Sequence, residues 1–127
     1  MKLVDTCIWI EALLGSATGK KYLAVLADAQ HLMVPTLVQY ELRRWALREL
    51  DESQADQIQV ATHAAQVVVL DEVVALYAAE LASRYRLHAL DAMIYATALV
   101  HKAELVTCDA HFEGLPNVAY LSKVGVS

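Results

Sequence analysis

An α/β fold is predicted: a mostly parallel central sheet of about four to five strands with helices on both faces. Three observations predict it. Short β-rich runs alternate with stretches of helical periodicity along the whole chain. The connections between successive runs are long enough for the helical crossovers that parallel strands require. Apolar residues make up 57% and charged residues 20% of the 127 positions, a balance that supplies a core and argues against disorder.

Taken in order, Lys2–Asp5 reads as a strand, followed by a helix near Thr6–Leu14 with Ile8/Ala12 and Trp9/Leu13 at helical spacing. Gly15 and Ser16 punctuate it, and a second helix runs from about Gly19 to Ala29. His31–Val34 is a short strand stopped by Pro35. Helices follow over Thr36–Leu50 and Glu52–Ala65. Gln66–Leu70, with its VVVL run, is the clearest strand of all. Asp71–Arg86 is helical, with Val74, Tyr77, Leu81 and Tyr85 forming an apolar stripe. Leu90–Lys102 is a further helix, Glu104–Thr107 a strand, Ala110–Glu113 a short turn and Val118–Leu121 the last strand.

Length favours one domain over residues 1–127, with no linker, repeat or low-complexity tract. No apolar run reaches the ~18–20 residues of a membrane span. The N-terminal MKLVDTCIWIEALLGSA is not a secretory signal, because Asp5 and Glu11 break its apolar stretch. Two cysteines, Cys7 and Cys108, offer neither a disulfide framework nor a CxxC metal pattern, so a cytoplasmic protein with reduced thiols is expected. The net charge of −5 speaks against a generic polyanion binder. Setting aside four acids of the 15 leaves 11 against 10 basic residues, so charge alone does not exclude nucleic acid.

Parallel α/β sheets gather ligands beyond the carboxyl ends of their strands. Two strands end in acids there, LVD at Asp5 and LVTCD at Asp109. A third acid, Glu41, lies one turn from Leu37, Val38 and Trp45, on an apolar stripe where an ionised carboxylate needs a partner. Asp91 precedes a strongly apolar helix, with Ala89 and Ala92 leaving room beside it. Each has a plain structural reading as well. Asp5, Asp91 and Asp109 suit helix or turn caps, and Glu41 could pair with Arg44 at i+3.

Four clustered carboxylates would repel one another at neutral pH unless a cation neutralises them or some stay protonated. An oxygen donor set without His or Cys suits Mg²⁺ or Mn²⁺ rather than Zn²⁺. Such ions retain waters and accept phosphate oxygens, so the expected chemistry is phosphodiester hydrolysis.

VDTCIWIE, the Glu of YELRRWA, LDAMIYATAL and LVTCDAHF, in this order, resemble the PIN-domain ribonucleases, and among them the small VapC-type toxins of prokaryotic toxin–antitoxin pairs. The likeness runs from Lys2 to about Leu121. It implies a divalent-metal endoribonuclease with its acidic quartet on Asp5, Glu41, Asp91 and Asp109. By the same resemblance Asp5, Asp91 and Asp109 bind Mg²⁺ or Mn²⁺, while Glu41 acts through a bound water, orienting or deprotonating it. Thr107 matches the family's frequent Thr or Ser two residues before the last Asp; its hydroxyl would hold a metal-bound water or a carboxylate. The resemblance also implies an RNA substrate, an antitoxin docked across the active-site groove, and a homodimer, for which Trp9, Leu13 and Trp45 offer apolar material.

Candidates to grip RNA are Lys20, Lys21, Arg43, Arg44, Arg48, Arg84 and Arg86, each with local ion pairing as its alternative. His88 could approach a phosphate or be purely structural, and strand alternation turns Cys108 away from Thr107 and Asp109. A phosphoacceptor receiver would need an acidic pair after the first strand, and a haloacid-dehalogenase-type phosphatase an Asp where Cys7 stands. The competing function is an inactive PIN scaffold that only binds protein or RNA.

Overall fold

A computed structural model describes residues 1–123; residues 124–127 of the expected domain lie outside the described residues. The chain runs β1 (Lys2–Val4), α1 (Thr6–Leu13), α2 (Ala17–Lys20), α3 (Leu23–Ala27), β2 (Leu32–Pro35), α4 (Thr36–Glu49) and α5 (Glu52–Thr62). It continues through β3 (Gln66–Val68), α6 (Glu72–Tyr85), α7 (Ala89–Val100), β4 (Glu104–Thr107) and β5 (Val118–Tyr120). Short 3₁₀ turns occupy Ala29–His31 and Ala110–Phe112.

The five strands form one sheet in the order β3-β2-β1-β4-β5, every pair parallel. The register sets Lys2 beside both Leu32 and Glu104, and Val4 beside Val106. The centre of this sheet is wholly apolar: Leu3, Val4, Val34 and Leu105 are fully buried, as central parallel strands covered on both faces must be. Helices supply the covering layers, with Ile8, Val38, Val74 and Ile94 also fully buried. The expected stripe on α6 is present, Val74 and Leu81 in the core and Tyr77 and Tyr85 packed against it.

From β1 the sheet grows one way through β2 and β3 and the other way through β4 and β5. The carboxyl ends of β1 and β4 therefore flank the point where strand order reverses, the place where such sheets hold ligands.

Three elements differ from the sequence reading. The helix expected over Gly19–Ala29 is two short helices, α2 and α3, separated at Tyr22 by a non-helical backbone (φ −110°, ψ 2°). Gly19 lies so close to α1 that a Cβ there would meet the Glu11 carbonyl oxygen at 2.2 Å, so packing fixes where α2 runs. The VVVL run is strand only over Gln66–Val68 and lies at the edge of the sheet, leaving Val69 and Leu70 exposed. Apolar runs signal strands without saying how much of each strand is covered. Pro35, expected just beyond the strand, is instead the last residue of β2 and the cap position of α4. Among the described residues no helix is long and apolar enough to cross a membrane.

Candidate active site

Asp5 follows β1 directly, and its backbone N–H donates to the Val106 carbonyl (2.9 Å), fixing it beside β4. The side chain is buried, and each oxygen has its own donor. Oδ1 accepts the Thr6 N–H at 2.8 Å and Oδ2 accepts the Thr107 hydroxyl at 2.8 Å. Capping α1 and facing the site are thus one arrangement, not alternatives. The Thr107 hydroxyl, fully buried at the tip of β4, also accepts the Asp109 N–H at 2.9 Å. Of its two expected roles, it holds a carboxylate.

Glu41 reaches the same place from α4. Its Oε1 accepts the Thr6 hydroxyl at 2.7 Å, and among the described residues no ion pair joins it to Arg44. Asp91 lies in the first turn of α7, where His88 holds the cap position, so the cap reading of Asp91 is set aside. Asp109 caps the 3₁₀ turn through Oδ1, which accepts the His111 N–H at 3.0 Å.

These acids feel one another. Burial holds the Asp5 carboxyl well above its ordinary range, with Cys7 and Glu41 adding to the rise, while bonds from Thr107 and Thr6 oppose it. Burial also raises Glu41, opposed by the Thr6 bond and reinforced by Asp91 and Asp109. Asp91 is raised by burial and by Asp109, against the pull of His111 and His88. The four sequence-predicted acids, from the ends of β1 and β4 and from α4 and α7, are electrostatically linked.

His111 was not singled out from sequence. Its Nδ1 lies 3.1 Å from Asp109 Oδ1 and 3.8 Å from Asp91 Oδ2, and ligand atoms of the three residues all fall within 4.8 Å of one another. Beside the expected carboxylate oxygens the structure thus sets one imidazole, that of His111, close to Asp91 and Asp109. The only available signal was position: His111 follows Asp109 by two residues, and the 3₁₀ turn folds it back. His88 packs edge-on against the His111 ring at 5.9 Å. Mutually raised carboxyls with several oxygens free to ligate fit a hard dication, which would remove their repulsion.

The cations sort by their contacts. Arg43 is held by Asp56 (3.0 Å) and Gln59 (3.1 Å), Arg48 by Glu49 (3.0 Å), and Arg84 lies over the Tyr85 ring. Arg44 is exposed and lines a groove of about 250 Å³ with Thr6, Tyr40, Glu41 and Arg48. A larger hollow of about 500 Å³ along α4 and α5 contains none of the four acids, so size does not identify the site. Cys108 turns into the core, as expected, and Trp9 is buried rather than free for an interface, while Leu13 is exposed.

Fold and site define an α/β protein with a cluster of carboxylates at the carboxyl end of a parallel sheet. More specifically, the chain belongs to the PIN domain family, whose model matches residues 2–118. Similar solved structures include a toxin–antitoxin complex from Klebsiella pneumoniae, 26% identical, with a TM-score of 0.82 over 94% of this chain and 96% of that one. FitAcB from Neisseria gonorrhoeae is 22% identical, with a TM-score of 0.74 over 96% and 97% of the two chains. VapBC2 from Rickettsia felis, bound to a DNA fragment from its promoter, is 15% identical, with a TM-score of 0.74 over 97% and 98%. No curated protein matches the chain in sequence.

Proposed function

We propose that this PIN domain is a divalent-metal-dependent endoribonuclease and the toxin of a toxin–antitoxin pair. The observation that carries the reading is the electrostatic linkage of Asp5, Glu41, Asp91 and Asp109: each of the three raised carboxyls is raised in part by another of the four acids. Asp5, Asp91 and Asp109 are the metal-holding residues in this reading, and Mg²⁺ or Mn²⁺ the ion. When bound, such an ion neutralises phosphate charge and acidifies a water. Glu41, held by the Thr6 hydroxyl, would orient or deprotonate a water there. Thr107 keeps Asp5 and Asp109 in register through its two hydrogen bonds. Arg44, beside Glu41 and in no ion pair among the described residues, grips a neighbouring phosphate of the RNA in this reading.

The toxin part rests on family membership and on the Klebsiella complex, whose similarity spans nearly the full length of both chains. It carries with it an antitoxin covering the groove, a homodimer and a cytoplasmic setting. Exposed Val69, Val73 and Leu76 at the β3–α6 corner are apolar surface that a second copy would cover. The test is to map RNA ends in cells producing wild type or Asp91→Asn, and to repeat cleavage with purified protein in EDTA. New ends that vanish with Asp91→Asn and with EDTA support the nuclease. Identical ends in both strains, with both proteins folded, would leave a scaffold that only binds.

A further inference from the structure

The pocket's floor holds a feature that the nuclease reading does not use. Cys7 on α1 and Cys108 after β4 are 101 residues apart in sequence, yet the Cys108 backbone N–H donates to Cys7 Sγ at 3.4 Å. That bond sets the two cysteines side by side, and both thiols are free. Cys7 Sγ also lies 3.5 Å from Thr107 Oγ1 and 3.7 Å from Asp5 Oδ2. The thiol pair therefore abuts the junction where Thr107 joins Asp5 to Asp109. Exposure differs usefully: Cys7 is half-buried, while Cys108 is 5% exposed.

We infer that Cys7 and Cys108 are an oxidative modification site, closing to a reversible intramolecular disulfide that disables the acid pocket. The oxidant is hydrogen peroxide. Cys7, the more accessible sulfur, attacks the peroxide oxygen; the O–O bond breaks, water leaves and a sulfenic acid remains on Cys7. Cys108 then attacks that sulfur, the S–O bond breaks, and a second water departs as the S–S bond forms. The two thiols lose two electrons and two protons in total, and the peroxide takes up both. A dithiol reverses the step by exchange.

Closing the bond takes Cys7 Sγ out of its contacts with Thr107 and Asp5 and pulls on Cys108, which is covalently between Thr107 and Asp109. Ligand-supporting partners of this kind typically change metal affinity by about 10–100-fold when disturbed. The disulfide is independent of the nuclease reading; its effect on metal binding rests on that reading.

The experiment treats reduced, metal-free full-length protein with hydrogen peroxide. Mass spectrometry then follows the disulfide, and Mn²⁺ titration follows metal affinity. Expected are a monomer lighter by two hydrogens, one linked peptide pair containing Cys7 and Cys108, and Mn²⁺ affinity weakened about 10–100-fold and restored by dithiothreitol. Cys7→Ser and Cys108→Ala should each abolish the linked pair; should either fail to fold, reversal by dithiothreitol in wild type still tests the step. Chain-to-chain disulfides, over-oxidised thiols without the linked pair, or two thiols still open to alkylation would overturn the site. A linked pair with unchanged Mn²⁺ affinity would overturn its control of the pocket. Reduced protein that binds no Mn²⁺ would sink the metal reading, and with it that control, while the linked pair still decides the modification.

Discussion

Asp5→Asn separates charge from architecture, because Asn caps a helix about as well as Asp. Oδ1 remains to accept the Thr6 N–H (2.8 Å), and the new amide can donate to Thr107 Oγ1, whose hydroxyl can turn toward Cys7 Sγ at 3.5 Å. What disappears is a carboxyl whose ionised form is disfavoured by burial, Cys7 and Glu41. Metal-free Asp5→Asn should consequently be no less stable than wild type at neutral pH. Metal tells the two apart. At a Mn²⁺ concentration about 100 times its Kd, wild type gains roughly 2.7 kcal/mol, which at about 4 °C per kcal/mol raises the midpoint by about 10 °C. A 100-fold loss of affinity brings the same concentration to the variant's Kd, leaving RT ln 2, about 0.4 kcal/mol. That amounts to under ~2 °C. Thermal melts with EDTA or Mn²⁺ measure both quantities. An undiminished Mn²⁺ shift in a folded Asp5→Asn protein would refute the assignment of this carboxylate to the ion.

Other outcomes follow from the same contacts. Asp5, Glu41 and Asp91 all have raised folded-state values, so their contribution to metal-free stability is full below about pH 4 and is lost as pH rises through those values. In melts across pH in EDTA, any advantage of Asp5→Asn over wild type should accordingly shrink toward acid; an advantage that grows would contradict it. Arg44→Ala should weaken RNA binding and lower its salt dependence by about one phosphate contact, whereas Arg43→Ala, already engaged by Asp56, should change binding little, as filter binding at several salt concentrations can show. Gly19→Ala forces a Cβ toward the Glu11 carbonyl and should cost about 1–3 kcal/mol in urea melts. Tyr95→Phe removes the 2.5 Å hydroxyl donor of the Pro116 carbonyl; because Pro116 is exposed and water can take the donor's place, the loss should be about 0.5–1.5 kcal/mol in the same assay.

The parallel sheet was legible because Leu3, Val4, Leu105 and Val106 lie in short apolar runs separated by helical stretches. The acids were legible because two of them end such runs and Glu41 interrupts an apolar stripe. Their sequence environment did not show that Asp5 and Asp109 would cap and face the pocket together. Nor did it show that Thr6, not Arg44, would hold Glu41: the Thr6–Glu41 bond spans 35 residues, beyond the reach of local patterns. His111 escaped notice because only the 3₁₀ turn brings it back over Asp91. The division of α2 from α3 escaped because it depends on how closely Gly19 approaches a neighbouring helix.

The central strand has a temporal consequence. Lys2 can pair with Leu32 as soon as the first quarter of the polypeptide exists, but its other partner, Glu104, comes near the end. Contacts so distant along the chain form late, and translation at ~5–20 residues per second separates the two pairings by seconds. A nascent or prematurely terminated chain ending before Asp91 holds Asp5 and Glu41 without Asp91, Thr107 or Asp109. Half-made copies thereby lack the assembled acid set, which comes together only once β4 and the turn after it have been made.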